Sequence, residues 1–260
     1  MTANSGEKKK KYKEKTAKST GVKTALVKKE IARYLSSPMY ILNASAGVIL
    51  MIIMSAALLL NGSELFMVLE VFGISSAAPA FVSAALCLCV SMVVVSAPSV
   101  SVEGKNLWLI KSLPVRAFDA LDAKALCHVL VTLPFALVSA VICAVALKSN
   151  IWQSIQLFTM PAAIVIFCGY LGVTINLMFP KFDWISEVHC VKQSASVAIT
   201  MFGMMALVIV LAVLYAVLLR NVMSADACVL LYTVILIAGS LVLRQWMKKR
   251  GSRIFEGLQG

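Results

Sequence analysis

The chain has 260 residues, of which 60% are hydrophobic and 14% are charged, and its formal net charge is +12. Soluble domains are about 45–50% apolar and about 25% charged, so a soluble fold cannot bury this much apolar surface. The apolar residues form runs of about 20, the length with which an α-helix crosses about 30 Å of hydrocarbon. The sequence therefore predicts an all-α, polytopic membrane protein.

The N-terminal part of the chain contains two different patterns. Residues 1–23 are polar and lysine-rich, which is typical of a disordered cytoplasmic tail. Residues 24–37 predict an amphipathic helix in the cytoplasmic interface of the membrane, with a basic polar face. Its apolar positions follow an i, i+4, i+7, i+8 spacing: Val27, Ile31, Tyr34 and Leu35. Ser37 as an N-cap and Pro38 as a first helical residue predict a sharp turn into the first span.

Six apolar runs predict six transmembrane helices inside a domain from 38 to 250. The predicted spans cover residues 39–60, 74–97, 126–147, 155–179, 197–219 and 228–246. Because the number of spans is even, both termini lie on one side of the membrane. Residues 251–260 then form a second cytoplasmic tail.

The distribution of the basic residues predicts which side that is. Of the 24 Lys and Arg residues, all but Lys148 and Arg220 precede the first span, lie at the end of the last span or after it, or lie in the second and fourth connections. This is the positive-inside pattern of a protein whose N-terminus and C-terminus are both cytoplasmic. The basicity therefore requires no nucleic-acid partner.

The two longer connections on this side combine polar and apolar residues. The connection 98–125 is the longest, and its centre at 105–113 predicts a short amphipathic helix between Gly104 and Pro114. A belt of interfacial Trp and Lys residues that anchors the neighbouring spans is the alternative. The connection 180–196 is polar enough to be exposed and apolar enough to contact a partner.

Residue patterns of catalysis and metal binding are missing from the sequence. It contains no GxxxxGK[ST] phosphate loop, no HExxH and no GxSxG, and its cysteines form no CxxC. The predicted spans contain essentially no charged residue, so no proton relay is evident. We expect no catalytic residue, no metal and no cofactor, and any energy for transport has to come from another chain.

Three segments carry a resemblance to a known family: KKEIARYLSSPMYILN at 28–43, EGKNLWLIKSLP at 103–114 and FPKFDW at 179–184. They resemble the permeases of type 2 ABC exporters from clostridia-like bacteria. The resemblance implies a permease of the bacterial plasma membrane that is driven by a separate cytoplasmic ATP-binding cassette ATPase. Residues 24–37 would be its connecting helix and 103–114 its coupling element. The resemblance implies ATPase coupling by these residues: Glu103, Gly104, Lys105, Trp108, Lys111 and Pro114.

The chain resembles the C-terminal half of family members that are about twice as long. A second permease half or a homodimer partner is therefore expected beside the ATPase. A non-transporting membrane scaffold or sensor, which would hold a partner through the basic tail and the inner connections, is the alternative function. Export rather than import rests on the resemblance alone, and no pattern identifies a substrate.

Overall fold

The structure is a computed structural model that describes residues 21–71, 77–184, 190–191 and 194–258. Every regular element within these ranges is a helix, as predicted. Most of the predicted tail at 1–23 lies outside the described residues, and the first helix begins at Val22.

The described residues form ten α-helices. They are α1 (Val22–Ser36), α2 (Pro38–Ala44), α3 (Ala46–Val71), α4 (Ala78–Ser91), α5 (Leu107–Ser112), α6 (Ala117–Ala146), α7 (Ile151–Met178), α8 (Ala195–Leu214), α9 (Ala225–Trp246) and α10 (Ser252–Gly257). A 3₁₀ helix at Ser101–Asn106 precedes α5, and π-helical turns at Tyr215–Leu219 and Met247–Gly251 follow α8 and α9.

Four described helical segments are long and apolar enough to cross a membrane: Ala117–Ala146, Ile151–Met178, Ala195–Leu219 and Ala225–Gly257. The pair Pro38–Ala44 and Ala46–Gly62 makes a fifth if it is counted as one span with a bend of 55°. Helix α4 is apolar but has only 14 residues. The structure thus shows four of the six predicted spans as long helices, and up to five with the bent pair.

The first predicted span, 39–60, corresponds to the bent pair from Pro38 to Gly62, whose break was not predicted. Pro38 opens α2, and the Ser37 hydroxyl accepts a hydrogen bond from the Tyr40 amide at 3.4 Å, as the sequence predicts. The helix then breaks at Ser45, whose hydroxyl hydrogen-bonds the Tyr34 hydroxyl of α1. After the break, α3 continues to Val71.

The second predicted span, 74–97, extends too far at its C-terminal end, because α4 ends at Ser91 and residues 92–100 form turns. Residues 72–76 lie outside the described residues. The turn segment is apolar because it is buried in protein. Its backbone groups have partners: the Val94 amide donates to the Ala44 carbonyl at 3.0 Å, and the Val95 carbonyl accepts from the Tyr40 hydroxyl at 2.7 Å. The apolar composition of residues 92–100 therefore reflects burial in protein, and their backbone is not helical.

Helix α7 is the centre of the bundle and packs against α4, α6, α8 and α9. In its most apolar 18-residue window 61% of residues are buried, against 11% for α8. The apolar side chains of α8 therefore face outward, as expected for contact with lipid, whereas α7 supplies packing surface to its neighbours.

Helices α1, α5 and α10 lie at one end of the bundle, together with the start of α6 and the end of α9. We call this the basic end, because most described Lys and Arg residues lie there, whereas Lys148 and Arg220 follow the opposite ends of α6 and α8. This placement agrees with the predicted grouping of the charges. The compartment that the basic end faces stays a prediction.

Gly47, near the start of α3, provides a test of the packing between α3 and α4. A Cβ atom at Gly47 would lie 2.0 Å from the Cys89 carbonyl oxygen, whereas a Cβ at Gly203 in α8 would meet nothing within 4 Å. Gly47→Ala should lower the free energy of unfolding by about 1–3 kcal/mol through overpacking. Gly203→Ala, the control, should be neutral or stabilise by about 1 kcal/mol. The unfolding midpoints of both variants in detergent measure these changes. Equal midpoints for the two variants would contradict the close approach of α3 to α4 at Gly47.

Candidate functional site

A buried cluster of charges joins α1, the 3₁₀ helix and α6 at the basic end. The Lys124 side chain is 0% exposed. Its Nζ donates to Glu30 Oε1 at 3.0 Å, to Glu103 Oε1 at 2.7 Å and to the Ser99 carbonyl at 2.9 Å. A lysine ammonium has three donors, so each has an acceptor here. We call Lys124, Glu30, Glu103, Lys29 and Arg33 the Lys124 cluster.

Glu103 has three cationic partners in the cluster. Its carboxylate also accepts from Arg33 Nη2 at 2.6 Å and from Lys29 Nζ at 3.1 Å, both from α1. Burial raises the pKa of the Glu103 carboxyl, but the positive charges of Lys124, Arg33 and Lys29 outweigh burial and hold that pKa well below its ordinary value. Glu103 is therefore ionised at neutral pH, and it fastens the start of the segment 103–114 to α1.

Gly104 brings the two long connections of the basic end together. Its φ of +50° and ψ of −132° lie in a region that glycine adopts without strain. A Cβ at this position would lie 2.8 Å from the Trp184 ring, whose Nε1 donates to the Ser101 carbonyl at 2.8 Å. The glycine is thus required both by the backbone angle and by the indole that covers it.

Asn176, near the end of α7, holds the start of the 3₁₀ helix through its side-chain amide. Its side-chain oxygen accepts from the amides of Val100 at 2.7 Å and Ser101 at 3.0 Å. Its side-chain nitrogen donates to the hydroxyls of Ser101 at 2.7 Å and Ser196 at 3.0 Å. This fully buried amide therefore ties α7, the 3₁₀ helix and the start of α8 into one unit.

A second group of charges lies beside the Lys124 cluster, at the start of α6. Asp122 accepts from the Tyr170 hydroxyl of α7 at 3.0 Å and from Arg244 Nε of α9 at 3.2 Å. Asp119 accepts two bonds from Arg116, at 2.7 and 3.1 Å. Lys23 of α1 lies 3.9 Å from Asp119 and 3.7 Å from Asp122. These pairs connect α1, α6, α7 and α9.

Helix α5 has one buried and one exposed side. Leu107 and Ile110 are buried against the core of the basic end. Trp108 is 66% exposed, and Leu109, Leu113 and Pro114 are exposed with it. We call Trp108, Leu109, Leu113 and Pro114 the Trp108 face. A group of large exposed apolar side chains beside charged residues is a common property of binding surfaces.

Lys111 of α5 is engaged within the chain. Its Nζ donates to the carbonyl oxygens of Glu256 at 2.9 Å and of Leu258, and it lies 5.9 Å from the centre of the Phe255 ring. A cation at the carbonyl end of a helix stabilises that end. Lys111 therefore holds α10 against α5.

The coupling residues predicted from the resemblance thus have different positions. Glu103 and Gly104 are internal, and a contact of Glu103 with an ATPase would require the Lys124 cluster to open. Lys111 is occupied by α10, while Trp108 and Pro114 are exposed. The Lys105 side chain lies outside the described atoms, so its predicted role stays a prediction.

The residues predicted for the connecting helix, Val27, Ile31, Tyr34 and Leu35, do not all share the buried side of α1. The buried positions are Leu26, Glu30 and Tyr34, while Val27 and Ile31 are half-buried and Leu35 is 59% exposed. The buried side is rotated toward Glu30 because this carboxylate reaches Lys124 of α6. Hydrophobic spacing cannot detect a buried ion pair, and the role of these four residues in a connecting helix stays a prediction.

Lys124, Glu30 and Asn176 were not predicted from the sequence as organising residues. A usable signal was present: Lys124 stands immediately before a long apolar run, and Asn176 is a polar residue inside another one. Polar and charged residues at such positions are costly and are retained for specific contacts. For metal ions, the described residues contain no group of three or more potential ligands.

The comparisons with known proteins give one family. A family model described as "Membrane protein of 12 TMs" matches residues 1–247. The search of curated proteins and the search of solved structures found no match. Together with the long apolar helices, the family match shows a multi-pass membrane protein.

The Lys124 cluster predicts strong coupling between Lys124 and Glu103. Lys124→Met leaves two buried carboxylates without their central cation and should cost about 3–5 kcal/mol of unfolding free energy. Adding Glu103→Gln removes one of these charges, so the double variant should be more stable than the sum of the two single losses predicts. Chemical unfolding in detergent measures the cycle. Additive losses would show that the two residues do not interact.

The lowered pKa of Glu103 predicts a pH dependence. A carboxyl whose folded pKa is depressed contributes stability above its unfolded pKa of about 4.3, and this contribution is lost as the pH falls through the folded value. The stability difference between wild type and Glu103→Gln should therefore be constant above about pH 5 and shrink below about pH 4.3. Unfolding midpoints of both proteins from pH 7 to acid measure this. A stability difference between wild type and Glu103→Gln that does not change with pH would contradict an ionised Glu103 in the Lys124 cluster.

Proposed function

The chain belongs to the family of membrane proteins of 12 TMs, and from this premise we propose that it is the permease subunit of an ATP-binding cassette exporter. It would move its substrate across the bacterial plasma membrane with energy from a separate cytoplasmic ATPase. The proposal rests on the contacts between the three segments that resemble exporter permeases. Although far apart in sequence, they contact each other at the basic end.

The contacts between these segments are direct. Arg33 and Lys29, from the first segment, bind Glu103, from the second. Gly104, also from the second, lies under Trp184, from the third. Segments that are separated in sequence but packed into one unit support a shared task better than three unrelated connections would. Docking of a partner at the basic end is such a task.

Within this unit, the Trp108 face is the proposed ATPase contact. Helix α5 is held by Glu103 on its N-terminal side, by the buried Leu107 and Ile110, and by the contact of Lys111 with α10. An ATPase that moves the Trp108 face therefore acts on a helix, α5, that is fixed to the rest of the basic end. Its displacement would reach α1 and α6 through the Lys124 cluster. The basic end faces the cytoplasm in this proposal, with both termini on that side.

The transport pathway in this proposal includes a second set of helices. The apolar cavity between α4, α7, α8 and α9 has a volume of about 50 Å³. Ligand pockets usually measure about 300–1,000 Å³, so this cavity is too small for a substrate. The family description names twelve transmembrane segments, and a second permease half or a second copy of this chain would supply the other wall of a pathway.

The docking proposal predicts that Trp108→Ala reduces recovery of a cassette ATPase with the tagged chain. Truncating a central interface tryptophan costs about 2 kcal/mol or more, so recovery from native membranes in mild detergent should fall by about tenfold or more. Trp152→Ala is the matched control, because Trp152 is 52% exposed and begins α7 at the opposite end of the bundle. Mass spectrometry of the co-purified proteins measures both.

Two results would contradict the proposal. If the wild-type chain carries no ATPase even after crosslinking, a scaffold or sensor is the better account. If Trp108→Ala and Trp152→Ala recover the ATPase equally, the ATPase does not dock on the Trp108 face. A second permease half in the wild-type sample would identify the other wall of the pathway.

A further inference from the structure

A cavity of about 260 Å³ lies at the basic end between the start of α1, the start of α6 and the end of α9. Its lining includes four cations and two apolar side chains: Lys23, Arg116, Arg244, Lys248, Phe118 and Leu241. We propose that this cavity binds the phosphate headgroup of an anionic phospholipid. The proposal concerns a lipid site and holds whether or not the chain is a transporter subunit.

The charge of the cavity favours an anion. Asp119 and Asp122 neutralise part of the lining, because Asp119 binds Arg116 and Asp122 binds Arg244. Four cations against two carboxylates leave a net charge of +2 within the group. Lys248 has no ion-pair partner among the described residues. Basic pockets beside the end of a transmembrane helix are typical sites for anionic headgroups.

The two aspartates also hold the cations in place. Their side chains are 7% and 5% exposed, whereas those of Arg116, Lys23 and Arg244 are 79%, 52% and 43% exposed. The carboxylates thus fix the basic groups from inside and leave their outer sides open to a ligand. A guanidinium fixed in this way can still donate its remaining N–H groups to phosphate oxygens.

The outer surface of α9 distinguishes a lipid from a free phosphate ion. One side of α9 and of the π-helical turn after it carries a stripe of exposed residues, Leu230, Val234, Ile237, Leu241 and Lys248, with the half-buried Arg244 between the last two. The spacing of three and four residues places them on one side of α9. The stripe is apolar up to Leu241 and cationic from Arg244 onward. An acyl chain along the apolar part and a phosphate at the cationic end match this order.

Native mass spectrometry of the purified full chain in detergent tests the site. The probes are dioleoyl phosphatidylglycerol, dioleoyl phosphatidylcholine and inorganic phosphate. Lys23→Gln/Lys248→Gln removes two charges from the cavity. Lys249→Gln/Arg250→Gln, the matched control, removes two charges from exposed neighbouring positions outside the lining.

Wild type should retain phosphatidylglycerol in preference to phosphatidylcholine, and inorganic phosphate should not displace it. The cavity variant should bind phosphatidylglycerol about 25-fold more weakly, about fivefold for each charge removed, while the control changes by less than about twofold. If the double variant does not fold, the single exposed change Lys248→Gln should still show the fivefold loss.

Three outcomes would overturn the site. Equal losses in the cavity variant and the control would show general surface electrostatics. Equal retention of phosphatidylglycerol and phosphatidylcholine would show that the cavity does not recognise the anionic headgroup. Displacement of the lipid by inorganic phosphate would assign the cavity to a free anion instead.

Discussion

The ammonium group of Lys124 is the contact on which the basic end depends. Placing this charge where its side chain has no exposure costs several kcal/mol unless every donor finds an acceptor. The acceptors come from three places: Glu30 of α1, the Ser99 carbonyl of the turn segment, and Glu103 of the 3₁₀ helix. All three therefore have to be in position together, and one side chain sets the relative placement of α1, α6 and the connection between α4 and α6.

The position of α5 follows from that constraint. With Glu103 held, the backbone turns at Gly104 and is covered by Trp184, which joins the two long connections. Leu107 and Ile110 then enter the core, and Trp108 on the other side of α5 is left exposed. The exposed tryptophan is thus a consequence of buried charge pairing one turn earlier in the chain.

Local signals allowed part of this arrangement to be predicted. Ser37 and Pro38 mark the start of α2 because a cap and a first-turn proline act within a few residues, and amphipathic spacing placed α5 between Gly104 and Pro114. The end of α4 at Ser91 could not be predicted, because buried turns and buried helices are equally apolar. The internal role of Glu103 was hidden as well, since its partners Arg33 and Lys29 are 70 and 74 residues away in sequence and meet it only in the fold.

The energetics of the Lys124 cluster indicate how the basic end can move. Opening the cluster would break a buried ion pair at a cost of about 3–5 kcal/mol. A bound protein has to supply roughly 5.5 kcal/mol to shift a two-state equilibrium from 1:99 to 99:1, so opening the cluster would use most of that free energy. A shift of α3 relative to the rest of the bundle leaves these pairs intact. It would instead be absorbed where the backbone already departs from a straight helix, at the break near Ser45 and at the kink at Asn61. A partner bound to the Trp108 face would therefore change the angle of α3 against the bundle at a lower free-energy cost than it would separate Glu103 from Lys124.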